Sequence, residues 1–334
     1  MDAIAIEGLT KTYRGIPAVD NLTMHVPRGS IYGFIGENGS GKSTTEKLIC
    51  GLLTKQGGRV SILGRPGDDP LVRSRLGVLI ENPGCFPDST VYRNLFMQAL
   101  NLGLPNPDKE IRRVLSLVGM ESAAGQKFGK CSLGMKQRIG VAQALMGHPD
   151  VLVLDEPING LDADGIRTIR ETLLHLAHDE GVTVLITSHV LGELSKIATH
   201  YGIIRRGHMI KEMTAAELET ECQSFVYVAT EDDWRAAQVL ARRWRRVEVL
   251  DGDGQPIHVK SSTGSPTGGL RVYDALDSED VSRYLFEHGL FVREIRMNRI
   301  GLEEYYLQLM DEQRHGPGAR MNRAAYYGPN EDGR

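Results

Sequence analysis

The segment GENGSGKST, from Gly36 to Thr44, holds the most concentrated chemistry in the chain. A nucleotide presents clustered negative charge on its phosphates. Binding that charge needs backbone that can wrap closely and turn its N–H groups inward, and Gly36, Gly39 and Gly41 permit this. Glu37, Asn38, Ser40 and Thr44 fill out the loop. Lys42 supplies a full positive charge for the β- and γ-phosphates, and the Ser43 hydroxyl stands where Mg2+ would sit. The run IYGFI before the loop reads as a strand, and TTEKLICGLL after it reads as a helix. That strand–loop–helix context is what a phosphate-loop pattern requires, and the helix adds the positive end of its dipole. The expected ligands are a nucleotide and Mg2+.

A phosphate loop needs a partner acid at a neighbouring strand end, and VLVLDEP (151–157) offers one. Asp155 closes an apolar strand and suits Mg2+, held through water. Glu156 follows directly and suits the acceptor of a proton from attacking water. Pro157 stops the strand. By itself the segment could equally be a strand followed by a solvated acidic turn.

These groups need a scaffold. IYGFI, VLVL and VTVLIT (182–187) show little polar alternation, as strands buried on both faces of an α/β sheet do. GIRTIRETLLHLAH (165–178) places Ile166, Ile169, Leu173 and Leu176 at helical spacing. AIAIE and RVSIL alternate, which suits a more exposed β layer. The fold class is therefore α/β, a P-loop core with a mostly parallel sheet and an antiparallel layer at one side. Residues 1–215 form this unit, with a helical subdomain over about 85–150. Residues 222–310 form a small α+β domain of two β-α-β units, interrupted by the loop GDGQPIHVKSSTGSPTGG. Residues 313–334 are polar and rich in Gly and Pro, and disorder is expected there.

Bulk properties narrow the classes. At 25% charged and 41% apolar, the balance is that of a soluble globular chain. A net charge of -4 offers no basic field, so no nucleic-acid partner is expected. No stretch reaches the ~20 apolar residues of a spanning helix. The first residues lack a signal-peptide layout, so export is not expected. Cys50, Cys85, Cys131 and Cys222 lack metal-type pairing and read as reduced thiols.

CSLGMKQRIGVAQAL (131–145) makes the reading specific. Read locally, Ser132 is a good N-cap for an amphipathic helix. In its order along the chain, the core from Ser132 through Gly134 to Gln137 resembles the signature of ABC ATPases. That resemblance implies a second phosphate site, with Ser132 and the N–H groups near Gly134 facing the ATP held by another copy's phosphate loop. It also implies that Tyr13 stacks on adenine, although a strand-edge tyrosine is an alternative. Asp162, in NGLDADG, would contact the opposite subunit, and His189, in TSHVLGEL, would contact the γ-phosphate. One departure stands out. In LGVLIENPGCF (76–86) Glu81 occupies the place where the family usually has Gln, and it would serve as a nucleotide- and Mg2+-side oxygen donor. Glu81, the form SLGMKQR and the ending LEEYYLQLM resemble the bacitracin-resistance and lantibiotic-immunity branch.

The resemblance implies an ATPase subunit whose catalytic residues are Glu156 and His189. It works as an ATP-sandwich dimer at the cytoplasmic face of the membrane, held there by a separate transmembrane permease. The segment NPGCFPDSTVYRNL would receive a helix of that permease. Export of a peptide antibiotic is expected; efflux of another natural product or drug is the alternative. A soluble ABC ATPase of chromosome maintenance would need a long coiled-coil insertion, and a translation-associated factor would need two sets of motifs. This chain has neither.

Overall fold

The computed structural model describes residues 1–222, 225–252, 257, 268–273, 275, 277–298 and 302–315. Residues 313–315, where disorder is expected, belong to the last helix; the rest of that tail and most of the expected loop after residue 252 lie outside the described residues. Two compact units are present, Met1–Glu217 and Leu218–Arg334.

In the first unit the chain opens on two long strands, β1 (Asp2–Tyr13) and β2 (Ile16–Pro27). β3 (Ile31–Ile35) leads through the phosphate loop into α1 (Lys42–Ile49). β4 (Gly57–Ile62), β5 (Arg65–Pro66), α2 (Pro70–Arg73) and β6 (Leu76–Leu79) follow. Next come three helices, α3 (Val91–Asn101), α4 (Pro107–Leu117) and α5 (Leu133–Ala144). β7 (Val151–Leu154), α6 (Ala163–His178), β8 (Thr183–Thr187), α7 (Leu191–Leu194), β9 (His200–Arg205) and β10 (His208–Thr214) complete the unit, and α8 (Ala215–Glu221) leads onward.

These strands make two sheets. The antiparallel one runs β2-β1-β4-β5 and the other runs β10-β9-β3-β8-β7-β6. In the second, β9, β3, β8, β7 and β6 are mutually parallel and only β10 is antiparallel. β3, β7 and β8 are buried at every position, which explains their unbroken apolar runs. Each buried Val, Leu or Ile there contributes ~1.5–3 kcal/mol. Their side chains join those of β1 and β2 in one core that includes Ile4, Ile6, Phe34, Val153 and Leu185. α1 stops at Cys50 because Gly51, at φ 68°, turns the chain left-handed, and the Leu52 N–H caps back onto the Lys47 carbonyl at 2.8 Å. α5 packs against β6 so closely that a Cβ on Gly77 would fall 2.0 Å from the Ala144 carbonyl oxygen. Only glycine is accommodated at that contact.

The second unit contains β11 (Phe225–Thr230), α9 (Asp233–Leu240), β12 (Val247–Val249), β13 (Leu270–Tyr273), α10 (Ser278–Glu287), β14 (Val292–Asn298) and α11 (Leu302–His315). Its sheet order is β12-β13-β11-β14, with every pair antiparallel. The two β-α-β segments therefore interleave, as in the split β-α-β arrangement, and do not stand side by side. Val226, Val228, Leu270 and Val272 point to one face and bury Leu240, Val281 and Leu285 of the helices. No helix among the described residues is long and apolar enough to cross a membrane.

Candidate nucleotide-binding site

The loop after β3 folds into a cradle. Gly41 stands at φ 109°, and a Cβ there would lie 2.4 Å from the Ala18 carbonyl oxygen. A Cβ at Gly36 would lie 2.5 Å from both the Ile204 carbonyl oxygen and Ser40 Oγ. Both positions therefore exclude larger residues. α1 starts at Gly41 without a capping side chain, so its first-turn N–H groups face the loop unsatisfied. Ser40 Oγ is buried and makes no hydrogen bond. Glu37 is half-buried, Asn38 and Gly39 are exposed, and Ser43 and Thr44 are half-buried. Lys42 is buried; its Nζ donates to the Gly36 carbonyl at 2.6 Å and the Glu37 carbonyl at 3.1 Å. Burial lowers the Lys42 pKa, while Glu156, Asp155 and Glu46 oppose that shift. A buried ammonium bonded only to carbonyls and an uncapped helix start together suit an anion.

Across the sheet, β7 carries Asp155 and Glu156. β7 is not the neighbour of β3, because β8 lies between them. This corrects the expectation of adjacent strand ends. β8 contributes a polar link of its own: Thr187 Oγ1 donates to Asp155 Oδ1 at 2.7 Å and accepts the Glu156 N–H at 3.1 Å. Ser43 Oγ reaches over to donate to Asp155 Oδ2 at 3.2 Å. Glu156 takes a left-handed backbone, φ 51°, a conformation that costs energy for a residue with a Cβ. The His189 N–H donates to Glu156 Oε2 at 3.1 Å. His189 Nε2 lies 3.1 Å from Glu156 Oε1, yet Oε1 is buried and accepts no hydrogen bond, so the approach is close but misaligned.

The signature residues are arranged differently. Ser132 is exposed and caps α5, its Oγ accepting the Met135 N–H at 3.2 Å. Asp162 is exposed and caps α6, accepting the Gly165 N–H at 2.9 Å. Gly134 lies against the loop before Asp162, where a Cβ would come 3.1 Å from the Gly160 carbonyl oxygen. Among the described residues, no hydrogen bond joins Ser132 or Gly134 to Lys42, Ser43 or Asp155. Gln137 is the exception within this segment: it is buried, and its Nε2 donates to the Glu156 carbonyl of the same chain at 2.8 Å. Tyr13 is exposed at the end of β1, with Lys11 Nζ 5.6 Å from its ring centroid. Glu81 sits at φ 63° just past β6, and its Oε1 pairs with Lys47 Nζ at 2.5 Å. Glu81 therefore contacts α1 through Lys47.

Three residues escaped the sequence reading. Thr187 ends a strand ahead of His189, and a polar residue at a buried strand tip was the available signal. Lys47 offered none, since its partner lies 34 residues away. Glu46 is the largest omission. It is fully buried, both carboxylate oxygens lack a hydrogen bond, and burial followed by the Asp155 charge pushes its pKa well above the usual carboxylate range. It also helps hold the Cys50 thiol up at about 12, an effect led by burial.

Comparison with known proteins gives a consistent result. A family model described as ABC transporter matches residues 19–159. The bacitracin transport ATP-binding protein of Enterococcus faecalis is 34% identical over 92% of this chain and 96% of its own length. The lantibiotic transport ATP-binding protein of Streptococcus pyogenes is 36% identical over 63% of this chain and 90% of its own. Among solved structures, a component of an ABC transporter complex from Clostridium perfringens is 27% identical, with a TM-score of 0.59, covering 66% of this chain and 91% of that one.

Proposed function

The chain belongs to the ABC transporter ATP-binding family, and from that premise we propose how its residues hold and hydrolyse ATP and what the resulting motion drives. The observation that carries the reading is the hydrogen-bonded run Ser43–Asp155–Thr187–Glu156 beside the buried Lys42. The loop N–H groups and Lys42 hold the phosphates, and Lys42 exchanges its carbonyl partners for phosphate oxygens. Ser43 and Asp155 are an oxygen-only donor pair, which fits Mg2+ completed by phosphate oxygens and water. When bound, the ion supplies neutralising charge to the phosphates. Glu156 accepts the proton of the attacking water, and His189 lies where it can contact the γ-phosphate. Tyr13 offers its exposed ring to adenine.

Ser132 and Asp162 are exposed, Gly134 is half-buried, and none of the three is hydrogen-bonded to Lys42, Ser43 or Asp155 of its own chain. They serve the ATP held by a second copy, so that two nucleotides close a dimer. The output passes to a separate permease, which places the subunit at the cytoplasmic face of the membrane. The names of the two transport relatives support a peptide antibiotic of bacitracin or lantibiotic type as the exported substrate. The test is direct: cells that carry the cognate permease with this chain should gain resistance to such a peptide. Cells that carry Glu156→Gln should not. Resistance to unrelated small drugs alone would reassign the substrate class.

A further inference from the structure

The second unit ends its sheet on an open edge. β14 is a seven-residue strand that pairs with β11 on one side and, among the described residues, with nothing on the other. An unpaired edge of that length is a template for another strand. Beside it lie two exposed aromatic rings, Phe286 at the end of α10 and Phe291 just before β14. They are 68% and 64% exposed, and they touch edge to face at 6.1 Å. α10 packs on β14 through the core residues Leu285 and Ile295, so the aromatic pair belongs to this edge.

The charges along β14 select an occupant. Its regular register with β11 runs from Glu294 to Asn298, and an irregularity sits toward Val292. Glu294 and Arg296 pair with Ala229 and Tyr227, and so share the face away from the helices. They form an ion pair at 3.3 Å, and the Arg296 guanidinium stacks 4.5 Å over the Tyr227 ring. Consider a second copy of β14 laid antiparallel across a two-fold axis at Ile295. Each Glu294 then stands opposite the other copy's Arg296, and each Arg293 stands opposite a Met297, so every charge-to-charge pairing is between opposite signs. A shift of two residues one way sets Glu294 against Glu294; the other way sets Arg296 against Arg296. A shift of one residue sets an outer-face residue opposite a core-facing one, which would put the two copies' helices on opposite faces of the joined sheet. Opposite charges across a strand pair stabilise it, and like charges destabilise it.

We propose that this edge is a dimer interface, in which β14 of two copies pairs about Ile295 and extends the four-stranded sheet across both chains. The pairing needs no nucleotide and is independent of the ATP-sandwich reading. The association expected of one strand edge and one aromatic pair per copy is weak, in the range of about 1–100 µM.

The test is sedimentation velocity of the full chain from about 1 to 100 µM, without nucleotide and with chelator, in the Ser132→Arg background. That background is chosen to block ATP-driven pairing in the proposed sandwich, and the absence of nucleotide excludes it independently. The expected result is a concentration-dependent dimer. Phe286→Ser with Phe291→Ser should weaken it at least ten-fold. Glu294→Arg and Arg296→Glu should each abolish it, and the two together should restore it. A monomer throughout, or single charge reversals without effect, would overturn the proposal. So would a monomer that binds anionic phosphatidylglycerol vesicles through the two phenylalanines, which would make the edge a membrane contact.

Discussion

The phosphate loop and the signature segment share one catalytic cycle in the proposed function, yet they are built in opposite ways. Lys42 and Asp155 are buried and bonded to their own chain: Lys42 to two loop carbonyls, Asp155 to Thr187 and Ser43. Around Ser132 the polar groups are exposed, and their bonds only cap helices. A group packed in low-dielectric surroundings acts strongly at short range and needs no further assembly. A capping serine at the surface has spare acceptor and donor capacity but nothing to use it on within its chain. The difference supports the proposal that the first region is assembled within one chain, whereas the second acts only on the nucleotide of another copy.

The largest expected effect breaks the buried region. Glu156→Gln retains shape but cannot accept a proton, so turnover should fall ~10²–10⁴-fold. ATP binding should survive, and the variant should accumulate as an ATP-bound dimer on size exclusion. Wild-type phosphate release would remove Glu156 as the base.

Next come paired variants that separate the two regions. Lys42→Ala removes a charge-assisted contact and should weaken ATP binding about 10–100-fold in the isolated subunit, measured by calorimetry. Ser132→Arg should leave that affinity within about two-fold, yet prevent ATP-driven pairing. If Ser132→Arg loses nucleotide binding as Lys42→Ala does, the exposed region is not separate and the comparison fails.

How much of this contrast the sequence discloses depends on distance along the chain. IYGFI, VLVL and VTVLIT announce buried strands because burial on both faces leaves no polar alternation. The caps at Ser132 and Asp162 are local and visible too. Sheet order is not local. Nothing in the residues of VLVLDEP says that β8 will lie between it and β3, or that Thr187 will tie Asp155 to Glu156. The small second unit shows the same limit, since its strands and helices are legible but their interleaving is not. Glu46 failed for another reason. An acid in TTEKLI reads as a solvated helix position, and only packing reveals that its face is the inner one.

Glu46 sharpens the account of the buried region. A buried carboxyl with no hydrogen-bond partner is expensive to ionise, the more so with the Asp155 charge nearby. Its folded pKa is raised, so the folded chain keeps the proton while the unfolded chain releases it. Stability is therefore unaffected by this group below the ordinary glutamate range and falls as pH rises from there toward the folded value. Glu46→Leu removes the group while nearly conserving volume. It should gain ~1–3 kcal/mol near pH 7, and the gain should shrink toward pH 4. Denaturant midpoints of both proteins across that range decide it. A gain independent of pH would mean that Glu46 finds a partner in solution.

Glu81 is the residue that this contrast does not sort, and its substitution should have the smallest effect on the isolated subunit. It is exposed, as the signature residues are, yet it is bonded through Lys47 to the helix that carries Lys42 and Ser43. Lys47 has its pKa raised first of all by the hydrogen bond to Glu81. Glu81→Gln keeps an oxygen for Mg2+ or water but ends the charge attraction. The Glu81 side chain is 63% exposed, so the pair contributes only ~0.2–1 kcal/mol, and subunit stability and ATPase rate should change less than about five-fold. The backbone at Glu81 is left-handed, so the residue is held in position by its surroundings as well as by Lys47. If Glu81 carries the state of the nucleotide site toward the permease, the Gln variant should lower peptide resistance in cells by more than it lowers ATPase in the purified subunit. Lys47→Met should reproduce that gap, because it breaks the same pair from the other side. Equal losses of resistance and ATPase would make Glu81 an ordinary oxygen donor of the buried region. Loss in neither assay would leave the pair without a role in coupling.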